Sequence, residues 1–129
     1  MQFGFVPPPF DEGLWWTVFD LLEKTVERGG YEWSEVREDL YAGRAQLWLA
    51  VKNEPVAAMV TRMDGDTLEV WLAGGAVLSG CIPFLEIALA AAKTSGATNG
   101  RIIGRKGWAR VLHPFGWRRD GDELIKEPI

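Results

Sequence analysis

Hydrophobic residues recur along this chain at two spacings, and the change from one to the other divides it into elements. After an apolar start and a stop at Pro7-Pro8-Pro9, Leu14, Trp15, Val18, Leu21, Leu22 and Val26 recur at helical intervals. Asp11 is placed to cap that helix, which runs to about Arg28 and ends at Gly29-Gly30. Ser34 caps a second, shorter helix with Val36, Leu40 and Tyr41 on one side, stopped by Gly43. The period then falls to two. Leu47, Leu49 and Val51 alternate with Gln46, Trp48 and Ala50, which is strand spacing. Asn53-Glu54-Pro55 turns the chain into a second strand from Val56 to Met63. Asp64-Gly65-Asp66 turns it again into a third, from Thr67 to Leu72. Three consecutive strands of this kind predict an antiparallel meander.

Gly74-Gly75 is expected to break the sheet, and Ser79 or Gly80 to open a helix that lasts through Thr94. Pro83 is tolerated in its first turn, where a missing N–H costs little. Phe84, Leu85, Ala88, Leu89 and Ala92 form its buried side, and Gly96 closes it. A short strand follows at Gly100 to Ile103, then a brief helix from Lys106 to Leu112, ended by Pro114. Phe115 to Arg118 and Glu123 to Lys126, joined around Asp120-Gly121, predict a final hairpin. The expected class is α/β (α+β): one domain over 1–129, with a mixed, mainly antiparallel sheet flanked by helices.

Composition narrows the setting. With 47% apolar and 25% charged residues, a 129-residue chain can bury a core without disulfides or metals. His113 and Cys81 are its only histidine and cysteine, too few for a closed metal site. Met1 to Pro9 is too short and too proline-rich for the apolar part of a signal peptide. The most apolar stretch, Ile82 to Ala92, is too short to cross a bilayer and carries Glu86. A protein of the cytosol, or of a particle assembled in the cytosol, with no membrane contact is expected. The net charge of −4 conceals an asymmetry. Residues 1–86 carry 14 acids and six bases, whereas 87–119 hold seven bases and no acid. That segment creates a positive potential suited to a phosphate group or an acidic partner. The acidity of the rest argues against nucleic acid.

The order of elements resembles that of GNAT acetyltransferases over nearly the whole chain. The likeness is sharpest from Gly104-Arg105-Lys106-Gly107-Trp108-Ala109-Arg110-Val111-Leu112 to Phe115-Gly116-Trp117. There the family has a strand, a short helix and a Gly-aromatic pair that starts the next strand. Together with Gly43-Arg44-Ala45-Gln46-Leu47-Trp48-Leu49-Ala50, it looks like short GNAT-like proteins encoded by bacteriophages.

The resemblance implies three requirements for acetyl transfer. Backbone N–H groups at a helix N-terminus must hold the pyrophosphate of acetyl-CoA. The matching loop runs from Gly74 to Gly80, and Gly74, Gly75, Ser79, Gly80 and Arg105 are the candidate cofactor residues. It has glycines but lacks the family's basic or amide residue and its usual spacing. A general acid is commonly a Tyr four residues before the Gly of the Gly-aromatic pair; here that position is Leu112, which cannot donate a proton. A carboxylate must relay the amine proton. Glu69 sits mid-strand where some members carry one, on the face opposite Leu68 and Val70; Glu32 is a weaker candidate. Trp16, Trp33 and Trp108 are candidates for exposed aromatic surface, and Trp108 with Arg110 for a protein contact. With two requirements unmet, the expectation is a non-catalytic phage-type GNAT-like protein, active by interaction in virion assembly or structure. Its partners would be phage or host proteins, with oligomers allowed, in the host cytoplasm or the virion. The alternative is an acetyl-CoA-dependent N-acetyltransferase of a small or protein amine.

Overall fold

One seven-stranded sheet organises the computed structural model, which describes residues 1–75 and 78–129. The chain runs β1 (Gln2–Val6), α1 (Glu12–Gly29), α2 (Trp33–Tyr41), β2 (Ala45–Lys52), β3 (Glu54–Asp64) and β4 (Thr67–Gly75). It continues through α3 (Leu78–Thr94), β5 (Asn99–Ile103), α4 (Ala109–Leu112), β6 (Trp117–Asp120) and β7 (Glu123–Lys126). The strands lie in the order β1-β2-β3-β4-β5-β7-β6. All neighbours are antiparallel except β4 and β5, whose connection through α3 makes them parallel.

The helices form where the sequence places them, for identifiable reasons. The Asp11 carboxylate accepts the Leu14 N–H at 2.8 Å, and Gly30 closes α1 in the left-handed conformation. Trp15, Val18, Leu22 and Val26 give α1 one buried face. The start of α2 differs from expectation. It begins at Trp33, with Glu32 as an N-cap that makes no side-chain bond, so Ser34 is already inside the helix. Trp33 is held there by its neighbours: its ring lies 4.7 Å from Phe19 and 5.7 Å from Trp15.

The sheet separates two apolar cores. On one face α1 and α2 cover Leu47, Leu49, Val60 and Leu72. On the other, α3 and α4 cover Val70, Ile102, Leu124 and the fully buried Trp117. Each such aliphatic side chain contributes about 1.5–3 kcal/mol on burial. The short segment before β6 is a 3-10 turn over Lys106–Trp108, then α4, then a second 3-10 turn over His113–Phe115. Phe115 therefore precedes the last hairpin instead of starting it.

Gly74 and Gly75 do not break the sheet. They continue β4, paired with Ala58 and Ala57. A Cβ on Gly74 would stand 2.0 Å from the Leu21 carbonyl oxygen, so its absence lets α1 lie directly on β4. Gly75 has φ +100°, and a Cβ there would stand 2.3 Å from the Val56 oxygen.

Candidate functional site

The strand pair β4 and β5 comes apart midway. They run together from Thr67↔Asn99 to Val70↔Ile102, while β4 stays paired with β3 as far as Gly75. The parting begins at a bulge: Val60 faces Leu72 and Thr61 faces Val70, leaving Trp71 as the extra residue. A bulge bends its strand and increases local twist, which here carries the second half of β4 away from β5. Among the described residues, the edge of Trp71–Gly75 towards β5 has no strand partner.

Side chains bridge the opening. The Ala73 carbonyl accepts the Thr25 hydroxyl at 2.9 Å and also Nη2 of Arg105, which lies just past β5. The same Nη2 lies 2.5 Å from Thr25 Oγ1, and the guanidinium stands 4.9 Å from the centre of the Trp108 ring. Burial, and then the nearby charge of Arg28, lower the Arg105 pKa below its ordinary value.

Two cavities meet at this bridge and share Thr25, Arg28 and Arg105 in their walls. The first, about 530 Å³, lies between β4, α1 and α3; Met59, Val70 and Phe84 contribute apolar wall, while Lys24, Arg28 and Arg105 bring cations. The second, about 500 Å³, is bounded by Tyr31, Trp71, Asp122 and Glu123. Tyr31 meets the Trp71 ring edge-on at 5.3 Å.

The residues singled out from sequence fall as follows. Gly74, Gly75, Arg105 and Trp108 gather at the first cavity. Ala76 and Val77 of the expected cofactor loop lie outside the described residues. Ser79 and Gly80 fall in the first turn of α3, with their side chains outside that description. Leu112, at the position of the family's Tyr, is fully buried in the core. His113 is exposed, and so is Arg110 on α4; Trp108 is half-buried. Trp16 is exposed, whereas Trp33 is half-buried against α1. Glu32 is exposed ahead of α2.

Glu69 is buried, not solvent-facing, and lies opposite Leu68 and Val70 as alternation requires. Both its oxygens are engaged: Oε1 by Arg62 at 2.8 Å, and Oε2 by Arg101 at 2.5 Å. Arg101 also reaches Asp64 at 2.8 Å, and these two carboxylates raise its pKa above the ordinary range. Arg62 in turn lies 4.0 Å from the centre of the Trp71 ring. The network ties β3, β4 and β5 together just before they part. The acid-free 87–119 segment is thereby dispersed: Arg101 is in this network, Arg105 is in the cleft, and Arg110, Arg118 and Arg119 are exposed. Sequence reasoning missed the second cavity, because Tyr31, Trp71 and Glu123 meet only through the tertiary fold. Among the described residues no cluster could hold a metal ion, and no helix is long and apolar enough to cross a membrane.

This is the fold of the GNAT acetyltransferases. The chain is similar along its whole length to GCN5 of Tetrahymena, with a TM-score of 0.73, 9% identity, and 100% of this chain and 97% of that one covered. It is similar to an aminoglycoside 6'-acetyltransferase type Ii, with a TM-score of 0.68, 14% identity and coverage of 100% and 98%. A GNAT family acetyltransferase from Brucella melitensis, solved with acetyl-CoA, gives a TM-score of 0.64 at 12% identity, covering 98% of this chain and 88% of that one. No protein-family model and no curated protein sequence matches the chain.

These findings overturn the expectation of an eroded, non-catalytic virion protein. The similar structures include several acetyltransferases, some of them solved with CoA or acetyl-CoA. Gly74 and Gly75, expected in a cofactor loop, are part of β4, where they set the approach of α1 and β3.

Proposed function

We propose that the protein is an acetyl-CoA-dependent N-acetyltransferase that binds the donor in the first cavity and the amine in the second. The observation that carries this is the opening of β4 from β5, with a strand edge that has no strand partner among the described residues and cations at one cavity. CoA joins an amide-bearing arm to a chain of phosphates. Apart from the Ala73 carbonyl, which Thr25 and Arg105 already engage, that edge offers main-chain groups to the amides, and Arg105, Arg28 and Lys24 offer charge to the phosphates. Arg105 suits this part: among the described residues its hydrogen-bond acceptors are the neutral oxygens of Thr25 and Ala73, so an anion would add a charge pairing there.

Bound acetyl-CoA supplies an activated acetyl thioester. The chain's own residues hold the two substrates at the bridge between the cavities and accept the amine proton. Glu123, half-buried in the wall of the second cavity, takes that proton. Glu69, with both oxygens engaged by arginines, braces the strands. With Leu112 buried, the departing thiolate takes its proton from water. The likeness of Gly43–Ala50 and Gly104–Leu112 to phage-encoded proteins rests on sequence alone and carries no part of this assignment. The experiment is release of free CoA thiol from acetyl-CoA over a panel of primary amines and amine-bearing peptides. Amine-dependent thiol release with a matching acetylated product is expected. Thiol release no faster than the buffer blank across the panel would count against the assignment.

A further inference from the structure

The two edges of the sheet are built differently. β6, at one end, carries Arg118, Arg119 and Asp120, all exposed. Charged side chains on an edge strand oppose pairing with another chain. β1, at the other end, reads Gln2-Phe3-Gly4-Phe5-Val6: five residues without a charge. It pairs with β2 on one side, and its other side has no strand partner among the described residues. Such an edge is a template for a further strand.

Its side chains add apolar surface. Phe3 and Phe5 lie on the same face of the sheet, with ring centres 5.5 Å from those of Phe84 and Trp48 respectively. Phe5 nonetheless remains 50% exposed. On α3, helical geometry puts Ile87 beside Phe84 on the flank away from Leu85 and Leu89, and Ile87 is 42% exposed. Phe5 and Ile87 thus make an uncovered apolar margin along the unguarded edge.

We propose that this margin is a dimer interface, in which two copies of the chain pair β1 with β1, antiparallel, about a two-fold axis through Gly4. The strand is complementary to itself in that register. Gly4 faces its own copy, Gln2 faces Val6 of the partner subunit, and Phe5 faces Phe3 of the partner subunit. Residues directly opposite in an antiparallel pair have Cβ atoms about 4.5–5.5 Å apart, so each exposed Phe5 gains an aromatic neighbour. The registers two residues away are poorer. One sets Phe3 against Pro7, which has no N–H to give; the other sets Phe5 against Met1, outside the strand. Only the Gly4 register uses all five residues of the strand. A Cβ at Gly4 would meet nothing within 4 Å, so the chain's own packing leaves the axis clear.

Pairing of this kind makes one continuous sheet with both α3 helices on the same face, their Ile87 flanks turned towards the axis. A stable interface buries about 800 Å² per partner, more than one short strand offers, and the α3 flanks add to it. β4 lies three strands in, about 14 Å from the edge, so the cleft stays open in the dimer.

The test is the mass of the full chain in solution, by size exclusion with light scattering at micromolar concentrations. Twice 14.4 kDa is expected. Phe5→Lys, which puts a charge on the edge, is expected to give the monomer mass with an unchanged circular dichroism spectrum. Gly4→Cys in a Cys81→Ser background is expected to cross-link between copies with a short bifunctional thiol reagent; this keeps the register testable if the lysine variant does not fold. A monomeric wild type, a dimer that survives Phe5→Lys, or a Gly4→Cys dimer that resists cross-linking overturns the proposal. A dimer lost on Trp16→Ser but kept in Phe5→Lys also overturns it, and moves the interface to α1.

Discussion

Arg105 donates through Nη2 to the main-chain carbonyl of Ala73, so a single side chain from beyond β5 spans the gap that β4 and β5 leave. The contact joins the two halves of the candidate site, since both cavities have Arg105 in their walls. A half-buried cation bonded, among the described residues, to neutral oxygens is held at a cost in solvation, which its lowered pKa expresses.

Removing that cation is expected to weaken donor binding. Hydrogen bonds to charged groups contribute about 1.5–3 kcal/mol, equivalent to roughly 10- to 100-fold in affinity. Arg105→Ala should therefore raise the Kd for CoA by that factor in a thermal-shift titration while the protein stays folded. An unchanged Kd would remove Arg105 from the donor site.

Gly74 answers to packing. Its missing Cβ is what allows the α1 backbone onto β4, so Gly74→Ala should cost about 1–3 kcal/mol through forced displacement. Gly107 is a matched control, because a Cβ there meets nothing within 4 Å and its φ is ordinary. Denaturant melts of the two variants check this: Gly74→Ala should shift the midpoint down, and Gly107→Ala should leave it close to wild type.

Glu69 and Glu123 are expected to separate stability from turnover. Arg101→Ala leaves the buried Glu69 with Arg62 alone; losing one partner of a buried pair costs about 3–5 kcal/mol, and the remaining arginine places this case near 3. Its signature is a lower melting midpoint.

Glu123→Gln should instead keep the melting midpoint and lower kcat by about 100-fold or more, the range for losing a positioned base. Steady-state rates at saturating acetyl-CoA check it. A Glu123→Gln enzyme with wild-type kcat, beside a Glu69→Gln enzyme that folds normally but is inactive, would return the proton to Glu69.

Much of the fold was legible in the sequence because local chemistry dictates it. The Asp11 cap, the Gly30 stop and the alternation of Leu47, Leu49 and Val51 each act within a few residues. Hydrophobic spacing gave the order of elements correctly, including the crossover helix that makes β4 and β5 parallel. The site was less legible. The bulge at Trp71 is set by pairing with Thr61 and Val60, and no spacing within β4 announces it. Gly74-Gly75 reads as a turn in one dimension, and becomes a point of close approach only when α1 and β3 lie against it. Glu69 occupies the expected strand and face, yet its engagement depends on Arg101, 32 residues later in the chain. The expectation of an inactive protein came from counting a motif, whereas the cleft is made by strand divergence.

The most direct test is calorimetric titration of the purified protein with acetyl-CoA and, separately, with CoA. One-to-one binding at micromolar strength is predicted for both, since the same cleft receives the arm and phosphates that they share. No heat and no thermal stabilisation at millimolar ligand would contradict donor binding in the cleft and with it the assignment as an acetyltransferase.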